Sequence, residues 1–572
     1  MVDMEGKSEW SEMEREVIDW DGVDITLGVG KKEEEKDLTW YYELKGKSEY
    51  DKLLEFRDNH LKKIKLTESS KRWWNDELSA QLKRLRNARR GGRTHKDGVS
   101  YKVGEKFRRW KGIAEKMKRM VAEKKEKCWR TFCEEHGHKD PWEIVRWAKD
   151  PWRLETRMRN LKDREGKVLS SEKEKVEGLV RDLFGWRDKV RDFEERETDK
   201  KEWGVKEVEK MKALLEGALK ETKNSSVPGP DGVSYHLIKA VRDMPLGQGL
   251  MKEVAESLLE GKTPQEWREI RVVLIPKPRR DLSRTKSWRL INLINCIGKL
   301  GEKVVADALQ DAGLLHGKQF GGVKSRSAVE AVFRVVVKAS RCMAKGGEVE
   351  WGFWDVKGGF QNVVRDEVLS RMRESEGGAR CTRWVHEFMG ERSFLVSWDR
   401  KDRGEGRTNM GVPQGSPLSL MIFLIWMAPI LEEMERRVRE AVGVEIELPA
   451  YVDDIHLGIY DTHRRRAWIH DVQADGEGVR ELLTRADKVV KEVATERGLP
   501  LEPEKEEKLI LRKGGRWNTR NKVVERVKWL GVVLDEDLEF DLHWKGRIAK
   551  ARSMLRTLNG IGNSQWGVSA NS

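Results

Sequence analysis

The sequence predicts a mixed α/β fold (α+β in type) for most of this chain, preceded by a basic helical extension. From about residue 200 onward, helix-like stretches alternate with short strands rich in β-branched residues, and prolines and glycines separate them. Two of the predicted strands end in aspartates rather than in apolar residues. Residues 66–199 are basic, helical in pattern and dotted with tryptophan. A function for this protein has to explain carboxylates placed at strand ends within a basic chain.

Composition favours a polyanionic partner. The 572 residues are 38% hydrophobic and 37% charged, which suits several domains rather than one. The chain has 113 Lys and Arg against 99 Asp and Glu, a formal charge of +14. Such an excess is typical of proteins that bind nucleic acid. Binding to a ribosome-like particle or to a membrane surface fits the same charge, so composition alone leaves the partner open.

Targeting and redox features predict an intracellular protein, in the cytoplasm, the nucleus or both. The first ten residues are acidic and polar, unlike a secretory signal. Five scattered cysteines, an odd number, argue against a disulfide framework. The most apolar run, residues 418–431, is shorter than the roughly 20 residues that cross a bilayer and contains Pro429. We therefore expect a core helix there and no membrane partner.

The region before residue 200 divides into two parts. Residues 1–65 mix charge runs with weak periodicity and receive no assignment beyond a remnant of an upstream region. Residues 66–199 are predicted to be a basic, tryptophan-rich helical linker, which fits either a helix along a phosphate backbone or a solvated amphipathic helix. The apolar residues that recur three or four positions apart in it are Phe107, Trp110, Ile113, Met117 and Met120.

A cluster of Cys128, Cys133, His136 and His138 in this linker resembles a metal site at first sight. Structural zinc commonly pairs its ligands with about two to four residues between cysteines and about three to five between histidines. Here the gaps are four and one. We interpret the cluster as a helix end.

Cations gather around a pair of predicted strands in the second half of the chain. A turn cluster at 228–232, Pro-Gly-Pro-Asp-Gly, cannot be helical. A strand at 271–275 then ends in Pro-Lys-Pro, and a second strand-like piece follows. These cations are either solvated loop charges or a clamp for a triphosphate. They are Lys277, Arg279, Arg280, Arg284 and Arg289.

Two adjacent aspartates interrupt an apolar strand in "LPAYVDDIHLGIY", residues 448–460. On a regular strand Asp453 and Asp454 would point to opposite faces, whereas at a hairpin tip both can serve one place. Two carboxylates in contact repel unless a proton or a cation neutralises one of them. Asp355 ends another strand 453 − 355 = 98 residues earlier, in "VEWGFWDVKGGFQNVV". The three carboxylates therefore predict a site for Mg²⁺, which prefers hard oxygen ligands.

A Gly/Pro loop feeds an apolar helix between these two strands, in "NMGVPQGSPLSLMIFLIWM", residues 409–427. Such a loop can lay its backbone against a nucleotide or a template base. Ser416 or Ser419 is expected to cap the helix.

The order of these motifs resembles the reverse transcriptases of non-LTR (LINE-type) retrotransposons. The sequence shows Asp355 with Phe360, then "PQGSPLS" at 413–419, then "YVDD" at 451–454. Further blocks of that family are matched in order by "VPGPDGVSYHLIKA", "VVLIPKP", "SWRLINLINCIGKLGEKVV", "QFGGVKSRSAVEAV", "GLPLEPEKEEKLIL" and "VKWLGVVLD". The resemblance covers about residues 200–550, and a lone "YVDD" would be a weak signal without the other blocks.

The resemblance implies a right-hand polymerase with an antiparallel palm sheet. Fingers and palm would occupy residues 200–534, and residues 535–572 would begin a truncated thumb. The chain would then be part of a longer element product. Its implied partners are an RNA template, a DNA primer or target DNA, and deoxynucleoside triphosphates.

The resemblance also implies roles for individual residues. Asp355 and Asp453 would bind two Mg²⁺ ions, or Mn²⁺ as the alternative metal, with Asp454 completing the carboxylate cluster and the Val356 carbonyl assisting. The nucleotide would be bound by Lys277, Arg289, Phe360, Gln414 and Lys505. The primer end would be held by Trp529, Leu530 and Gly531.

Two of these residues have alternative interpretations. Phe360 would reject a 2′-hydroxyl by its bulk, or it is plain core. Lys505 would protonate the leaving group, or it is a solvated lysine in a Glu-rich stretch. At the level of the whole chain, the expected activity is RNA-directed DNA polymerisation. The alternatives are a decayed or co-opted RNA-binding protein without polymerase activity, and an RNA-copying polymerase.

Overall fold

The structure is a computed structural model. It describes residues 14–18, 44, 46–65, 76–90, 110–124, 127, 161–163, 165–184, 205–224, 226–277, 280–398, 401–462, 477–511 and 524–562. The cysteine and histidine cluster at 128–138, Phe107 and Arg279 lie outside the described residues. The chain divides into two units, one made of residues 39–57 and 156–543 and the other of residues 1–38, 58–155 and 544–572.

The smaller unit contains strands β1 (Glu14–Ile18) and β2 (Leu61–Lys65), which pair antiparallel, and two contacting helices. Helix α2 (Asp76–Arg90) approaches helix α3 (residues 110–124) where the Gln81 side chain donates a hydrogen bond to the Ile113 carbonyl at 3.4 Å. Leu78 and Met117 are buried. The predicted amphipathic helix is therefore confirmed over residues 110–124, with its apolar face used for packing and most of its lysines exposed.

The larger unit begins with part of the region that received no assignment from sequence. Residues 49–57 of helix α1 (Glu49–His60) belong to this unit. The Tyr50 hydroxyl donates to Asp231 Oδ2 at 3.0 Å and accepts from Asn295 Nδ2 at 3.4 Å. The predicted turn at 228–232 is confirmed by the left-handed Gly232, whose amide donates to the Gly229 carbonyl at 3.2 Å. This helix therefore fixes the turn from its outer side.

The helices of the larger unit range from 4 to 26 residues in length. They are α4 (Glu172–Leu183), α5 (Val205–Lys220), α6 (Tyr235–Val241), α7 (Pro245–Glu260), α8 (Cys296–Gln310), α9 (Ala328–Ala344), α10 (Gly359–Asn362), α11 (Arg365–Met372), α12 (Glu376–Phe388), α13 (Pro417–Val442) and α14 (Glu477–Glu496). Helix α15 (Asp541–Gly562) begins at the end of this unit. Short 3₁₀ helices occupy Gln265–Arg268, Thr285–Ser287 and Pro503–Lys505.

One sheet has five strands and carries the predicted aspartates. Its strands are β7 (Glu348–Asp355), β10 (Glu445–Glu447), β11 (Ala450–Tyr451), β12 (Asp454–Asp461) and β13 (Glu507–Leu511). The order is β10-β12-β7-β13, with β11 also paired to β12, and every pairing is antiparallel. Side chains alternate between two cores: Ile455 and Leu457 pack on the side of α13, and Trp351 and Phe353 on the other.

The second sheet has four strands and carries the predicted cations. Its strands are β5 (Ile270–Pro276), β6 (Trp288–Ile294), β8 (Arg392–Trp398) and β9 (Lys401–Thr408), in the order β6-β5-β8-β9. The strand predicted at 271–275 is confirmed and is one residue longer at each end. β5 runs antiparallel to β6 and parallel to β8. Two small hairpins, β3 with β4 (Leu161–Lys162, Val168–Leu169) and β14 with β15 (Arg526–Trp529, Val532–Asp535), complete the unit.

Helix α13 is the central core element. The Ser416 hydroxyl accepts hydrogen bonds from the amides of Leu418 and Ser419 at 3.0 and 3.2 Å, so Ser416 is the cap. Among the described helices, this one is long and apolar enough to cross a membrane by composition, but 72% of that window is buried inside the protein. The predicted core helix is confirmed, and it continues through Pro429 to Val442.

Candidate active site

The two predicted aspartate strands lie side by side. β12 pairs with β7 in a register that sets Asp454 directly opposite Asp355. Asp453 is the second residue of a two-residue loop between β11 and β12, and its carbonyl accepts a hydrogen bond from the Val356 amide at 3.3 Å. Directly opposed residues in an antiparallel pair have Cβ atoms about 5 Å apart. The backbone therefore places the aspartate pair at a hairpin tip, as the sequence predicted.

Burial and mutual repulsion act on these carboxylates together. Burial raises the pKa of Asp454 to about 6, and the neighbouring charges of Asp453 and Asp355 add to the effect. The pKa of Asp453 is also raised, first by burial and then by Asp355. Lys505 acts in the opposite direction on both groups. A cation at this position would relieve the repulsion.

Lys505 lies at the predicted site. Its Nζ atom is 2.5 Å from Asp355 Oδ2, and its side chain is 53% exposed. The segment before it is fixed to the end of β7, because the Glu502 amide donates to the Asp355 carbonyl at 2.9 Å and the Lys357 amide donates to the Pro500 carbonyl at 2.8 Å. The interpretation of Lys505 as a merely solvated residue does not account for this ion pair.

The donor set suits a hard divalent cation. In the described part of the chain, no three His, Cys, Asp or Glu side chains converge closely enough to hold one ion as they stand. Asp355 is neutralised by Lys505 instead. The carboxylates of Asp453 and Asp454 are nevertheless hard oxygen ligands, and burial and mutual repulsion disfavour their charged forms, so Mg²⁺ or Mn²⁺ bound to them would relieve that repulsion.

Phe360 follows the sharp turn after β7. Gly358 is left-handed, with φ +63°, and Phe360 lies in the short helix α10. Its ring centroid is 5.3 Å from that of Phe423 on α13, and its carbonyl accepts from the Val412 amide at 2.8 Å. The side chain is half-buried. It therefore touches the core on one side and stays accessible on the other.

The Gly/Pro loop at 409–416 is held against β6. The Asn292 amide donates to the Gln414 carbonyl at 2.9 Å. Gly415, with φ +131°, comes so close that a Cβ there would lie 2.4 Å from the Asn292 carbonyl oxygen. Only glycine fits this position. The backbone of Gln414 is consequently fixed next to β6.

Arg392 supports the same loop from beneath, and sequence analysis missed it. This buried guanidinium donates to the carbonyls of Met410 and Gly411 at 2.7 and 2.8 Å. The neighbouring Glu302 is also buried, and burial raises its pKa to about 7 while a hydrogen bond from Ser416 and the charge of Arg392 act against the rise. An arginine at a strand start gives no local signal for such a role.

The predicted cations separate into two groups. Burial lowers the pKa of Lys277, and the positive charges of Arg289, Arg280 and Lys505 lower it further. The positive charges of Arg289 and Lys505 thus both act on Lys277. Arg284 instead pairs with Asp281, 3.7 Å between Nε and Oδ2.

The predicted primer-holding turn connects β14 to β15. Leu530 and Gly531 both have positive φ, +47° and +85°. Trp529 is buried, and its ring lies 5.0 Å from that of His456 and 6.0 Å from that of Phe353. The turn is therefore anchored on the sheet that carries the aspartates.

His456 is a second residue that sequence analysis missed. It is fully buried, its ring also contacts Trp351 at 5.3 Å, and burial lowers its pKa to about 3. The imidazole is neutral and serves as one member of an aromatic cluster. Only its place two residues after Asp454 on the strand could have indicated an inward-facing side chain.

Comparison with known proteins identifies the region that holds this site. Residues 275–534 match the family model "Reverse transcriptase (RNA-dependent DNA polymerase)". This match, with the relatives below, supports a LINE-type reverse transcriptase domain within residues 275–534. The resemblance stated from sequence is confirmed, and the domain contains all three aspartates.

The relatives of this reverse transcriptase domain are products of insect transposable elements. The probable RNA-directed DNA polymerase from transposon BS of Drosophila melanogaster is 25% identical over 198 residues, 34% of this chain and 22% of that protein. The Pol polyprotein from type-1 retrotransposable element R1 of Bradysia coprophila is 23% identical over 364 residues, 60% of this chain and 34% of that protein. The matched part thus spans about a third or less of these relatives.

A third relative and one solved structure extend the comparison. The RNA-directed DNA polymerase from mobile element jockey of Drosophila melanogaster is 24% identical over 248 residues, 41% of this chain and 26% of that protein. The structure of apo telomerase from Candida tropicalis truncated from C-terminal domain covers 54% of this chain and 66% of that chain, at 12% identity and a TM-score of 0.32.

Replacing Asp454 by Asn is expected to stabilise the metal-free fold at neutral pH. A carboxylate whose pKa is raised in the folded state favours folding while it is protonated, and that contribution is lost as the pH rises from its unfolded pKa of 3.8 through about 6. We expect D454N to raise the free energy of unfolding by about 1–2 kcal/mol at pH 7.5 in EDTA, after allowance for solvent screening, and by little at pH 4.5. Denaturant unfolding at both pH values measures this.

The control for D454N is D311N, on an exposed aspartate at the end of α8. It should show no such pH-dependent gain. Equal stability of D454N and the native protein at pH 7.5 would contradict the repulsion inferred here.

Replacing Arg392 by Met is expected to lower the free energy of unfolding by about 2–4 kcal/mol, because the carbonyls of Met410 and Gly411 lose a buried charged donor. R407M is the matched control, since Arg407 is 73% exposed and pairs only at the surface with Glu391. Its effect should stay within about 0.5 kcal/mol. Urea unfolding of the two variants measures the difference, and equal losses would remove Arg392 from its supporting role.

Proposed function

We propose that this chain is an RNA-directed DNA polymerase that adds deoxynucleotides to a primer 3′-hydroxyl. The observation that carries the proposal is the direct opposition of Asp355 and Asp454 across β7 and β12, with Asp453 in the adjoining turn. Few structural roles need three carboxylates in one partly buried place, whereas nucleotidyl transfer with two metal ions does. The five-stranded sheet would then be the palm, and the four-stranded sheet with helices α5 to α8 the fingers.

The proposed chemistry assigns a task to each group. Two bound Mg²⁺ ions would supply charge to activate the primer hydroxyl and to stabilise the leaving pyrophosphate. Asp355 and Asp453 would be their protein ligands, with Asp454 and the Val356 carbonyl beside them. Binding would require Asp355 to release Lys505, whose ammonium group is then free to move to the triphosphate.

The triphosphate would lie between the cations of the four-stranded sheet and Lys505, which pairs with Asp355 at the end of the five-stranded sheet. Lys277 and Arg289 would neutralise its oxygens, and the repulsion that Arg289 and Lys505 exert on Lys277 is the state expected of a site prepared for an anion. Lys505 would donate its proton to the leaving pyrophosphate oxygen as the α-phosphate bond to that oxygen breaks. Each cation therefore acts on the same phosphate chain.

The base, the sugar and the primer would be contacted by three backbone-fixed elements. Gln414 lies in the loop held on β6 and would meet the incoming nucleotide and the template. Phe360 presents a half-buried ring that would exclude a 2′-hydroxyl. The turn of Leu530 and Gly531, anchored by Trp529, would hold the primer end. An RNA template, a DNA primer and deoxynucleoside triphosphates are the partners this arrangement would use, inside the cell.

Primer extension on an RNA template tests the proposal directly. The native chain should extend a DNA primer with deoxynucleotides in the presence of Mg²⁺, and EDTA should stop the reaction. D453N should lose at least about a hundredfold of the rate, the scale on which one preorganised electrostatic group contributes.

The control for D453N is again D311N, which should extend the primer at the native rate. Extension by D453N at the native rate would contradict the assignment of the metal ligands. RNA binding by the native chain without any extension would favour the co-opted RNA-binding alternative, and preferred ribonucleotide incorporation would favour an RNA-copying polymerase.

Replacing Phe360 by Ala should relax the choice of sugar, because removing the ring makes room for a 2′-hydroxyl. We expect ribonucleotide use relative to deoxynucleotide use to rise by about 10- to 100-fold. Competition between the two substrates in single-nucleotide extension measures this ratio. F360M, which keeps most of the bulk, is the control and should retain discrimination; if F360A also retains it, the ring belongs to the core alone.

A further inference from the structure

The turn that presents Asp453 is strained. Val452, the first of its two loop residues, has φ +58°, as in a type II′ turn, where glycine is usual. A β-branched side chain with positive φ is a genuine outlier among protein residues. Such a conformation persists only where the surroundings determine it. Something other than the preference of Val452 must therefore hold the turn.

The side chain of Gln319 contacts the backbone of this residue at two points. Its Oε1 accepts a hydrogen bond from the Val452 amide at 2.9 Å, and its Nε2 donates to the Val452 carbonyl at 3.4 Å. Oε1 also accepts from the Gly321 amide at 3.0 Å. One amide group thus binds both the N–H and the C=O of the strained residue, as a neighbouring strand would.

Gln319 is itself firmly placed. It is 1% exposed and forms a parallel bridge with Ala450, whose amide donates to the Lys318 carbonyl at 3.0 Å. The Phe320 amide donates to the Ala450 carbonyl at 2.8 Å. Arg326 Nη1 donates to the Gln319 carbonyl at 2.6 Å. The segment therefore lies along β11 as a short additional strand.

The two segments approach as closely as the backbone permits. A Cβ on Gly321 would lie 2.6 Å from both the amide nitrogen and Cγ2 of Val452. No other residue fits there without displacing the turn. The contact between residues 319–321 and Val452 thus depends on the side chain of Gln319 and on the absence of a side chain at Gly321.

We propose that Gln319 is a positioning residue that holds Val452 in the left-handed conformation and so sets the carboxylate of Asp453 beside that of Asp454. On a regular strand these neighbours would face opposite ways, and the left-handed residue before them is what bends the chain into the tip. The catalytic meaning of this role rests on the proposed function, but the clamp itself is a property of the fold. It requires an amide, because an apolar side chain of the same size would leave the N–H and C=O of Val452 without these partners.

The test compares Q319M with the native full chain. Hydrogen–deuterium exchange of the peptide covering residues 450–454 reports on the Val452 amide, and binding of Mn²⁺, followed by its paramagnetic resonance signal, reports on the carboxylates. In Q319M we expect the Val452 amide to exchange about tenfold faster and Mn²⁺ affinity to fall about tenfold, the equivalent of one lost hydrogen bond. Q310M is the matched control, since Gln310 is half-buried and its side chain donates to the Gly322 carbonyl rather than contacting Val452; it should change neither quantity.

The V452G variant shows whether Gln319 acts by holding a strained residue at position 452 or by supporting the loop in general. Glycine adopts positive φ freely, so there the additional Q319M change should lower Mn²⁺ affinity by less than about threefold. An equal tenfold loss in both backgrounds would overturn the proposal, as would native exchange and native Mn²⁺ affinity in Q319M.

The native chain provides a test that needs no variant. Its Val452 amide should exchange as slowly as the ladder amides of β12, and exchange at the rate of an open loop would overturn the proposal even if Q319M did not fold. These readouts do not depend on polymerisation. A chain that failed to extend primers would defeat the proposed function and leave the clamp standing, whereas an active chain with an unprotected Val452 amide would do the reverse.

Discussion

The antiparallel register of β7 and β12 is the constraint on which the candidate site depends. It sets Asp355 opposite Asp454, and a shift by one residue would turn one of them to the other face of the sheet. The carboxylates repel each other, so they cannot stabilise this register themselves. The apolar residues on the two faces do, with Leu457 in the core beside α13 and Trp351 in the core on the other side. Because the sheet is buried on both faces, its register is held by apolar packing despite the unfavourable charge arrangement at one end.

Both hairpins that the proposed function uses contain a residue with a strained backbone conformation. Among the described residues, five other than glycine have positive φ, and Val452 and Leu530 are two of them. Each is held by a buried neighbour: the amide of Gln319 binds Val452, and the ring of Trp529, packed on His456, fixes the turn of Leu530. Strained conformations of this kind cluster where a site must be preorganised. The strain and its supports are therefore parts of one arrangement.

Sequence predicted those features whose signals are local. The aspartate pair at a hairpin tip, the strand at 271–275 and a helix cap at Ser416 or Ser419 follow from a few adjacent residues, and the structure has them, with Ser416 as the cap. The turn at 530–531 is implied by the family resemblance, and the structure has it as well. Gln319 and Arg392 could not be predicted in this way. The hydrogen bond between Gln319 and Val452 joins residues 133 apart in the chain. A single Gln or Arg forms no sequence pattern that predicts which distant backbone group it binds. The role of Tyr50, in the region before residue 66, could not be predicted either, because its hydrogen-bond partners Asp231 and Asn295 lie far away in the sequence.

The supports of the site are polar for a physical reason. A loop that has to meet a nucleotide or a primer must stay accessible on one side, so apolar packing cannot enclose it. Its backbone N–H and C=O groups on the protein side still need partners. Gln319 beneath Val452, Arg392 beneath Met410 and Gly411, and the Asn292 amide at Gln414 supply them. Directional hydrogen bonds fix orientation as well as distance, which non-directional burial cannot do. The buried polar side chains beneath these open loops therefore fix the positions of the loop backbones. Each is costly to bury unless the loop above it keeps the conformation that supplies its hydrogen-bond partners.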